Sequence, residues 1–362
     1  MNKFIQEFSI KQFRGITDLT LKGLSAVNLF VGENNGGKTS VLEAICCLRS
    51  VDAYNLFQIC RERKRDSASV RDIRYLFYGD TRSFEINASL ADGSSCNYAS
   101  SYSFHPATFS KEMFFQDEEE TPLTPLWRDA VDAAGINGKE LQVLDLEITR
   151  NAERRRLSAF DLDVSLGRVK KSAEDDLKII YVHPSSHYRP LAKELSSVLK
   201  SDSYSKLLIE LLKLLDSKIE RIETIPDELF GSNEVYIKRE GEDPKPISVY
   251  GDGTKKLLNL AVAAAKAKDG YLLLDEIETS LHYDLIENSL LFLTKISEKF
   301  NVQLFITTHS KETIDCFYEA MKGKEDSLRI YTLRKEGEQS FARGLSGSEA
   351  QEYERAGVEV RK

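Results

Sequence analysis

Alternating apolar and polar positions at the start of the chain predict a β-hairpin. The alternation covers residues 4–13 and returns over residues 19–24, each with the two-residue period of a strand that buries one face. Residues 26–31 are then almost continuously apolar, which predicts a buried strand, and residues 40–48 have the spacing of a helix. The pattern therefore predicts a strand, a glycine-rich loop and a helix in succession.

Helices and strands alternate regularly in the last third of the chain. The predicted elements are a helix over 255–266, a strand over 271–274, a helix over 284–298, a strand over 303–306, a helix over 312–321 and a strand over 327–333. This alternation is typical of a largely parallel sheet flanked by helices.

The middle of the chain has weaker signals. Strand-like alternation covers residues 84–102, and no clear pattern is present between residues 124 and 175. Further on, the patterns predict a buried strand over 179–182, helices over 190–199 and 204–215, and strands over 219–225, 235–239 and 247–250.

Composition predicts the compartment of the protein and the redox state of its cysteines. The chain has 362 residues, of which 41% are hydrophobic and 30% charged, a balance typical of a soluble protein with a large core. No stretch approaches the roughly 20 apolar residues that cross a bilayer, and the first residues lack the apolar block of a signal peptide, so a cytosolic protein is expected. The five cysteines lack metal-ligand spacing and are expected to be reduced structural thiols. They are Cys46, Cys47, Cys60, Cys96 and Cys316.

The net charge of −8 does not favour nucleic-acid binding by the molecule as a whole. Three basic runs, within residues 61–65, 154–156 and 168–171, are local candidates for contacts with a phosphate backbone. Solvated surface is the simpler interpretation of each run, and DNA binding is the alternative.

Residues 32–39 read GENNGGKT and match the phosphate-loop pattern G-x-x-x-x-G-K-[ST] in full. Glycines let the backbone amides of such a loop turn inward onto phosphate oxygens. Lys38 would place its charge on the β and γ phosphates of ATP, and Thr39 would offer a hydroxyl to Mg²⁺. The predicted ATP-binding residues of the loop are Gly32, Asn35, Gly36, Gly37, Lys38, Thr39 and Ser40.

Two later strands are expected to complete the site. The segment YLLLDE ends in Asp275, predicted to hold Mg²⁺ with Thr39, and Glu276, predicted to take a proton from the attacking water. The segment QLFITTHS places His309 at the end of the next strand, where open α/β sheets bind their ligands, and predicts a γ-phosphate sensor. His282 is a second histidine after the carboxylates and is interpreted as part of an interface loop.

With these residues the chain resembles the ABC-type ATPases of the RecF, SMC and OLD group, especially compact bacterial AAA-family ATPases similar to the OLD ATPase domain. FRGI at residues 13–16 is similar to the family's opening strand, which implies a nucleotide contact for Arg14. DEIETSLH, from Asp275, resembles Walker B and the D-loop, and GVEVR near residue 360 resembles the closing strand. The implied fold is an α/β ATPase head with a mixed N-terminal sheet, a parallel core sheet flanked by helices and an inserted helical segment.

The resemblance also implies a signature loop that binds the γ-phosphate held by a second head. SVYGDGTKKLLNLA occupies its place, and the implied signature residues are Gly251, Gly253, Thr254 and Lys255. Asp252 departs from the usual LSGGQ, and a carboxylate aimed at phosphate would be repulsive. Either Lys255 and Lys256 offset its charge, or the Asp252 side chain points away from the phosphate.

The family's Q-loop glutamine is missing from the sequence. Asp80, in LFYGD, stands at its position and is predicted as a substitute metal ligand, with Gln58 as the rival.

The implied organisation has three parts: residues 1–90 as the first part of the head, 91–175 as an inserted lobe, and 176–362 as the rest of the head. The resemblance implies a nucleotide-dependent homo-oligomeric switch, with paired heads, that regulates a separate nuclease or TOPRIM-like effector in anti-phage defence, as in the PARIS and Septu systems. A RecF-like DNA-binding repair ATPase is the alternative, and a transporter subunit is disfavoured by the degenerate signature.

Overall fold

The computed structural model describes residues 4–64, 69–115, 124–165, 169–171, 177–184, 192–213, 216–226, 233–280 and 283–361. The strands in these ranges are β1 (Ile5–Phe13), β2 (Ile16–Lys22), β3 (Val27–Val31), β4 (Ser83–Leu90), β5 (Ser95–Thr108), β6 (Glu140–Arg150), β7 (Glu153–Phe160), β8 (Ile179–Val182), β9 (Ile219–Pro226), β10 (Asn233–Arg239), β11 (Lys245–Pro246), β12 (Tyr271–Leu274), β13 (Gln303–Thr307), β14 (Leu328–Glu336) and β15 (Gln339–Ser346).

Helices cover the sheets. They are α1 (Lys38–Cys47), α2 (Ala53–Lys64), α3 (Lys111–Phe114), α4 (Thr124–Ala134), α5 (Asp161–Ser165), α6 (Ala192–Leu199), α7 (Asp202–Lys213), α8 (Asp252–Lys266), α9 (Ile277–Ser280), α10 (Tyr283–Phe300), α11 (Lys311–Ala320) and α12 (Gly347–Arg355). None of the helices in the described part of the chain is long and apolar enough to cross a membrane.

The first sheet is antiparallel and has the strand order β2-β1-β4-β5-β6-β7. The predicted hairpin is confirmed as β1 and β2, and the FRGI segment forms its turn, with Phe13 paired to Ile16. The interval between residues 124 and 175, which had no clear pattern, contains α4, β6, β7 and α5. The predicted boundary at residue 90 falls between β4 and β5, which are neighbours in this sheet.

The second sheet has the order β15-β14-β3-β13-β12-β8, and all its pairs except β14 with β15 are parallel. Every residue of β3, β12 and β13 is buried, as expected for strands covered by helices on both faces. The predicted parallel sheet is therefore confirmed. Because these strands are parallel, their carboxyl ends meet at one edge, where ligands bind in folds of this kind.

A buried amide joins the two large sheets. Gln303 of β13 is fully buried; its side-chain oxygen accepts the Ile5 N–H at 2.7 Å, and its side-chain nitrogen donates to the Ile5 and Ser25 carbonyls at 2.8 and 2.9 Å. Asn28 of β3 is also fully buried and donates to the Leu304 carbonyl at 3.1 Å, a bond between two neighbouring strands of the second sheet. The satisfied amide of Gln303 fixes β1 of the first sheet against β13 of the second.

Two predicted strands are wrong. Residues 247–250 instead contain the 3-10 turn Ile247–Val249, and Val249 is 63% exposed, so this apolar run has no sheet face to bury. GVEVR is a turn that follows α12 rather than a strand: Val360 is fully buried, but its N–H donates to the Glu354 side chain at 3.2 Å instead of a neighbouring strand.

All five cysteines are free thiols in the structure, as predicted. Cys46, Cys47, Cys60 and Cys96 are buried and Cys316 is half-buried. Burial raises the pKa of the Cys46 thiol to about 12, so it packs as a small apolar side chain.

Candidate functional site

A cleft of about 1000 Å³ opens at the carboxyl edge of the parallel sheet. It is lined by the loop between β3 and α1, by the ends of β12 and β13, and by the turn between β1 and β2. Of the residues predicted to act on ATP, the cleft brings together Arg14, Asn35, Gly37, Lys38, Thr39, Ser40, Asp275, Glu276 and His309.

The phosphate loop is shaped by contact with β14. Gly32 has φ +126°, and a Cβ there would lie 2.3 Å from the Leu333 carbonyl oxygen. A Cβ on Gly36 would lie 2.9 Å from the same oxygen. Gly37 precedes α1 with φ +95°, a left-handed conformation that few other residues adopt. Glycine at these positions is therefore required by the backbone path itself.

Lys38, the first residue of α1, is folded into the loop. Its ammonium donates to the Gly32 carbonyl at 2.9 Å and to the Glu33 carbonyl at 2.7 Å, and the residue is 5% exposed. Burial lowers the pKa of Lys38, while the charges of Asp275 and Glu276 oppose this shift. Lys38 thus provides a cation with little water around it at the loop.

Asp275 is 3% exposed and has its carboxylate oriented by three hydroxyls. Thr307 and Thr39 donate to Oδ1 at 2.7 and 3.1 Å, and Tyr181 donates to Oδ2 at 3.1 Å. Burial, followed by the Asp275 charge, raises the pKa of Tyr181 well above its ordinary value, so the phenol remains a donor. Sequence reasoning missed Tyr181, although its place at the end of β8 is a signal of the kind used for Asp275 and His309.

Thr39 and Asp275 fit a magnesium ion. Mg²⁺ takes oxygen ligands and usually binds through one or two protein groups together with phosphates and water. The hydroxyl and the carboxylate of these residues lie side by side in the cleft. Among the described residues there is no cluster of three His, Cys, Asp or Glu side chains that could hold a metal ion.

Glu276 and His309 face each other across the ends of β12 and β13. Glu276 has φ +46°, uncommon for a residue with a side chain, and its N–H donates to Thr307 Oγ1 at 2.7 Å. Its Oε1 lies 4.0 Å from His309 Nε2, and the two side chains are 40% and 34% exposed. The backbone of His309 is held at both ends, since its N–H donates to Glu278 at 2.6 Å and its carbonyl accepts from Arg361 at 2.8 Å.

A buried carboxylate on α1 holds two arginines at the cleft. Glu43 is 1% exposed; it accepts from Arg14 at 3.0 and 3.3 Å and from Arg63 at 2.7 and 2.9 Å. Desolvation by burial alone would lower the pKa of Arg63, but the charge of Glu43 raises this pKa above its ordinary value. Sequence analysis placed Arg63 in a basic surface run and assigned no role to Glu43. The missed signal was an acid within the apolar helix VLEAICCL, because a buried charge requires a partner.

The signature residues do not line this cleft. Gly251 precedes α8, is exposed, and has open space around the position of a Cβ. Gly253, Thr254 and Lys255 are half-buried in the first turn of α8.

The Asp252 side chain is 81% exposed and pairs with Lys255 Nζ at 3.3 Å. Lys256 instead donates to the Thr279 carbonyl at 2.8 Å. Lys255 is therefore positioned to offset the Asp252 charge, as the sequence suggested.

The structure does not bring the predicted Q-loop substitutes to the cleft. Asp80 is exposed in the turn before β4, and Gln58 is half-buried on α2; neither lines the cleft. Gly32 and Gly36 shape the loop from behind rather than line the cavity. His282 lies outside the described residues.

Three neighbouring strands carry the groups of this site: the glycine loop follows β3, His309 follows β13, and the two carboxylates follow β12. This arrangement defines a P-loop nucleoside triphosphatase. The chain belongs to the family described as "AAA domain, putative AbiEii toxin, Type IV TA system", whose model matches residues 27–315. It is therefore an ATPase.

A relative with a related activity covers almost the whole chain, and a solved structure shares its fold. The chain is 24% identical over 371 residues to the "ATP/GTP phosphatase" of Helicobacter pylori, covering 96% of this chain and 97% of the relative. It is 30% identical over 83 residues to the DNA replication and repair protein RecF of Teredinibacter turnerae, covering 23% and 22% of the two chains. The solved structure of an SMC head bound to the C-winged helix domain of ScpA has the same fold, with a TM-score of 0.51 and 16% identity over 95% of this chain and 98% of that chain. The predicted α/β fold is confirmed, and it resembles the fold of the SMC ATPase head.

Proposed function

We propose that the protein is a nucleotide-dependent switch in which two copies meet face to face and close on two ATP molecules. The observation that carries this proposal is the location of Gly251, Gly253, Thr254 and Lys255, which stand at the start of α8 outside the cleft of their own chain. The start of a helix attracts anions through its unpaired N–H groups and its dipole. A second copy could bring this helix start to the open side of the cleft.

Each cleft would then hold one triphosphate. The backbone of the loop, with Asn35, Gly36 and Gly37, would surround the phosphates, and Lys38 would leave its carbonyl partners for the β and γ phosphates. Thr39 and Asp275 would hold Mg²⁺, which neutralises phosphate charge when bound. Arg14 and Arg63 would contact the phosphate chain from the side of Ser40, because Arg63 Nη2 lies 3.5 Å from Ser40 Oγ.

Hydrolysis would be carried out by Glu276 and His309, which follow β12 and β13 and line the cleft. Glu276 would accept a proton from the water that attacks the γ-phosphorus, and the products would be ADP and phosphate. His309 would contact the γ-phosphate and report its loss. Because the same phosphate would be held from the opposite side by the signature helix, its release would separate the two copies.

In the cell we propose a sensor or regulator of an anti-phage defence system that acts in the cytoplasm and controls a separately encoded nuclease of TOPRIM-like type. The family description, which names a putative toxin of a type IV TA system, supports a defence role. The strands β5–β7, in the lobe of residues 91–175, extend the sheet that carries Arg14 and could relay closure to an effector. A nuclease gene beside this gene, and co-purification of its product only with ATP, would test the assignment.

Subunit complementation tests the paired arrangement. Lys38→Ala removes the phosphate-binding cation, and Gly251→Asp places a carboxylate at the start of α8 without a clash, since a Cβ there meets nothing within 4 Å. Asp is a favoured residue before a helix, so Gly251→Asp is expected to fold normally. Each variant alone is expected to be inactive. Their mixture should recover about a quarter of the wild-type ATPase rate, because half the dimers are mixed and have one intact site in two.

Gly251→Ala is the matched control and is expected to keep most of the wild-type rate. Light scattering should also show that wild-type protein doubles its mass with ATP but not with ADP. A mixture with no more activity than the separate variants, together with an unchanged mass in ATP, would contradict the switch.

A RecF-like DNA-binding role is the second candidate, favoured by the short match to RecF. The arginines of the run 154–156 are already paired with carboxylates, which argues against a strong interaction with the DNA backbone. Arg154 and Arg156 pair with Glu147, and Arg155 pairs with Glu153. This candidate predicts an electrophoretic shift of duplex DNA that weakens steeply with salt and is lost when all three arginines are replaced by alanine. The absence of a shift at low salt would remove it.

A further inference from the structure

The direction of the His309 side chain depends on the two peptide groups that flank its Cα. The first is held by Glu278, whose carboxylate accepts the His309 N–H at 2.6 Å, and the second by Arg361, whose Nη1 donates to the His309 carbonyl at 2.8 Å. Hydrogen bonds with one ionised partner are about twice as strong as neutral ones. Because both peptide planes are held, the φ and ψ angles of His309 are fixed, and with them the direction of its Cα–Cβ bond.

Arg361 is not among the described residues that line the nucleotide cleft. It lines a neighbouring cavity of about 570 Å³. The linings of the two cavities share Asn34, Asn35 and Lys335, so the cavity of Arg361 borders the phosphate loop. The connection between Arg361 and the cleft therefore runs through the carbonyl of His309, a residue that does line the cleft.

The segment that carries Arg361 is itself anchored. Val360 is fully buried; its N–H donates to the Glu354 side chain at 3.2 Å, and its carbonyl accepts from the Thr332 hydroxyl. The Arg361 guanidinium also pairs with Glu359. Because the preceding backbone is fixed and the guanidinium is paired, Arg361 has a defined position from which it can support another residue.

A second contact joins the same two segments. The Lys311 ammonium, two residues after His309, lies 3.8 Å from the Glu354 carboxylate, which also accepts the Val360 N–H. Residues 354–361 therefore hold the beginning of α11 and the turn before it at two points, the His309 carbonyl and the Lys311 side chain.

We propose that Arg361 is a positioning residue for hydrolysis: it holds the His309 carbonyl so that the imidazole stays beside Glu276 and meets the γ-phosphate. This inference rests on the proposed function, in which His309 contacts that phosphate. The hydrogen bonds that orient Lys38 and Asp275 do not involve Arg361, so nucleotide affinity should depend little on it. The expected effect is on kcat, because an interaction that is made in the transition state is weakened when the group that makes it is displaced.

The kinetic test is a double-mutant cycle of Arg361 and His309. Arg361→Ala should lower kcat for ATP by about 10- to 100-fold with little change in KM, the upper value being the loss that a shift of about 1 Å in a positioned group can cause. Arg361→Met keeps much of the apolar stem but has no donor, and it should have the same effect. In a His309→Ala background neither substitution should lower kcat further, because Arg361 acts through His309.

Nuclear magnetic resonance tests the positioning without any nucleotide. The chain has five histidines, so in protein with isotope-labelled histidine the imidazole signal of His309 is identified as the one that His309→Ala removes. Arg361→Ala and Arg361→Met should shift or broaden this signal. Arg355→Ala is the matched control, because Arg355 is an exposed arginine of the same segment and is not among the described residues that line either cavity. It should change neither the His309 signal nor kcat.

The outcomes separate this inference from the function on which it rests. A normal kcat in both Arg361 variants, an unmoved His309 signal, or an equal loss of kcat in the wild-type and His309→Ala backgrounds would overturn the role of Arg361 and leave the nucleotide site standing. Wild-type protein that does not bind ATP, or a His309→Ala protein with a normal kcat, would instead overturn the role proposed for His309, and this inference with it.

Discussion

Glu276→Gln is expected to lower the rate of ATP hydrolysis by about 10²- to 10⁴-fold, the contribution usually made by a general base. The amide has the shape of the carboxylate but cannot take a proton from water. The substitution should leave the fold intact, because the Glu276 side chain is 40% exposed and its N–H, not its carboxylate, bonds to Thr307. Nucleotide binding should therefore persist while the chemical step fails.

The measurements are phosphate release at saturating ATP and molar mass by light scattering. Since closure is proposed to end with hydrolysis, Glu276→Gln should remain in an ATP-bound assembly of twice the mass. Glu298→Gln, which changes an exposed carboxylate paired with Lys324 outside the cleft lining, is the control and should behave as wild type. A Glu276→Gln protein with a near-normal rate would exclude Glu276 as the base.

Glu43→Ala is expected to lower the free energy of unfolding by about 3 kcal/mol, because removing one partner of a buried ion pair leaves the other charge unpaired. Glu43 is 1% exposed, and the Arg14 side chain is 10% exposed. Arg63 is 42% exposed and adds little, since water screens it. The same variant should weaken ATP binding, because both arginines lose the carboxylate that orients them. Urea unfolding at neutral pH measures the first effect, and calorimetry measures the second.

Glu147→Ala provides a close comparison. Glu147 also pairs with two arginines, Arg154 and Arg156, but the three side chains are 28%, 54% and 70% exposed. Exposed pairs of this kind contribute little to stability because water screens them, so Glu147→Ala should destabilise much less than Glu43→Ala. Glu147 is not part of the cleft lining, so ATP binding should be unaffected. Equal destabilisation by Glu43→Ala and Glu147→Ala would show that burial does not make the Glu43 cluster special.

Some features could be predicted from the sequence because their signals are local. The strand over 271–274 has the predicted bounds, and the run YLLLDE carries its own evidence of burial and of where the strand ends. The glycines of residues 32–39 are required by a backbone path that a Cβ would obstruct, so the motif itself specifies the loop. The apolar pattern of a strand and the backbone conformation of a glycine loop both depend on residues that are neighbours along the chain.

Other features depend on partners distant in sequence. Residues 247–250 have the pattern of a strand, yet they form a 3-10 turn because no sheet edge receives them. The strands β6 and β7 were not recognised. β6 pairs with the long β5 strand and β7 pairs with β6, and half of the residues of β7 are charged.

The amino-acid sequence alone determined the phosphate loop, the parallel core and the order of the groups that follow its strands. Packing of the folded chain brings Arg14 and Arg63 to Glu43 across 49 residues of chain and places Tyr75 in the lining of the same cleft. A sequence pattern reports whether a residue is buried and in which element. Which distant side chain shares its hydrogen bonds is set by packing, because a buried charge is stable only where the fold supplies its partner.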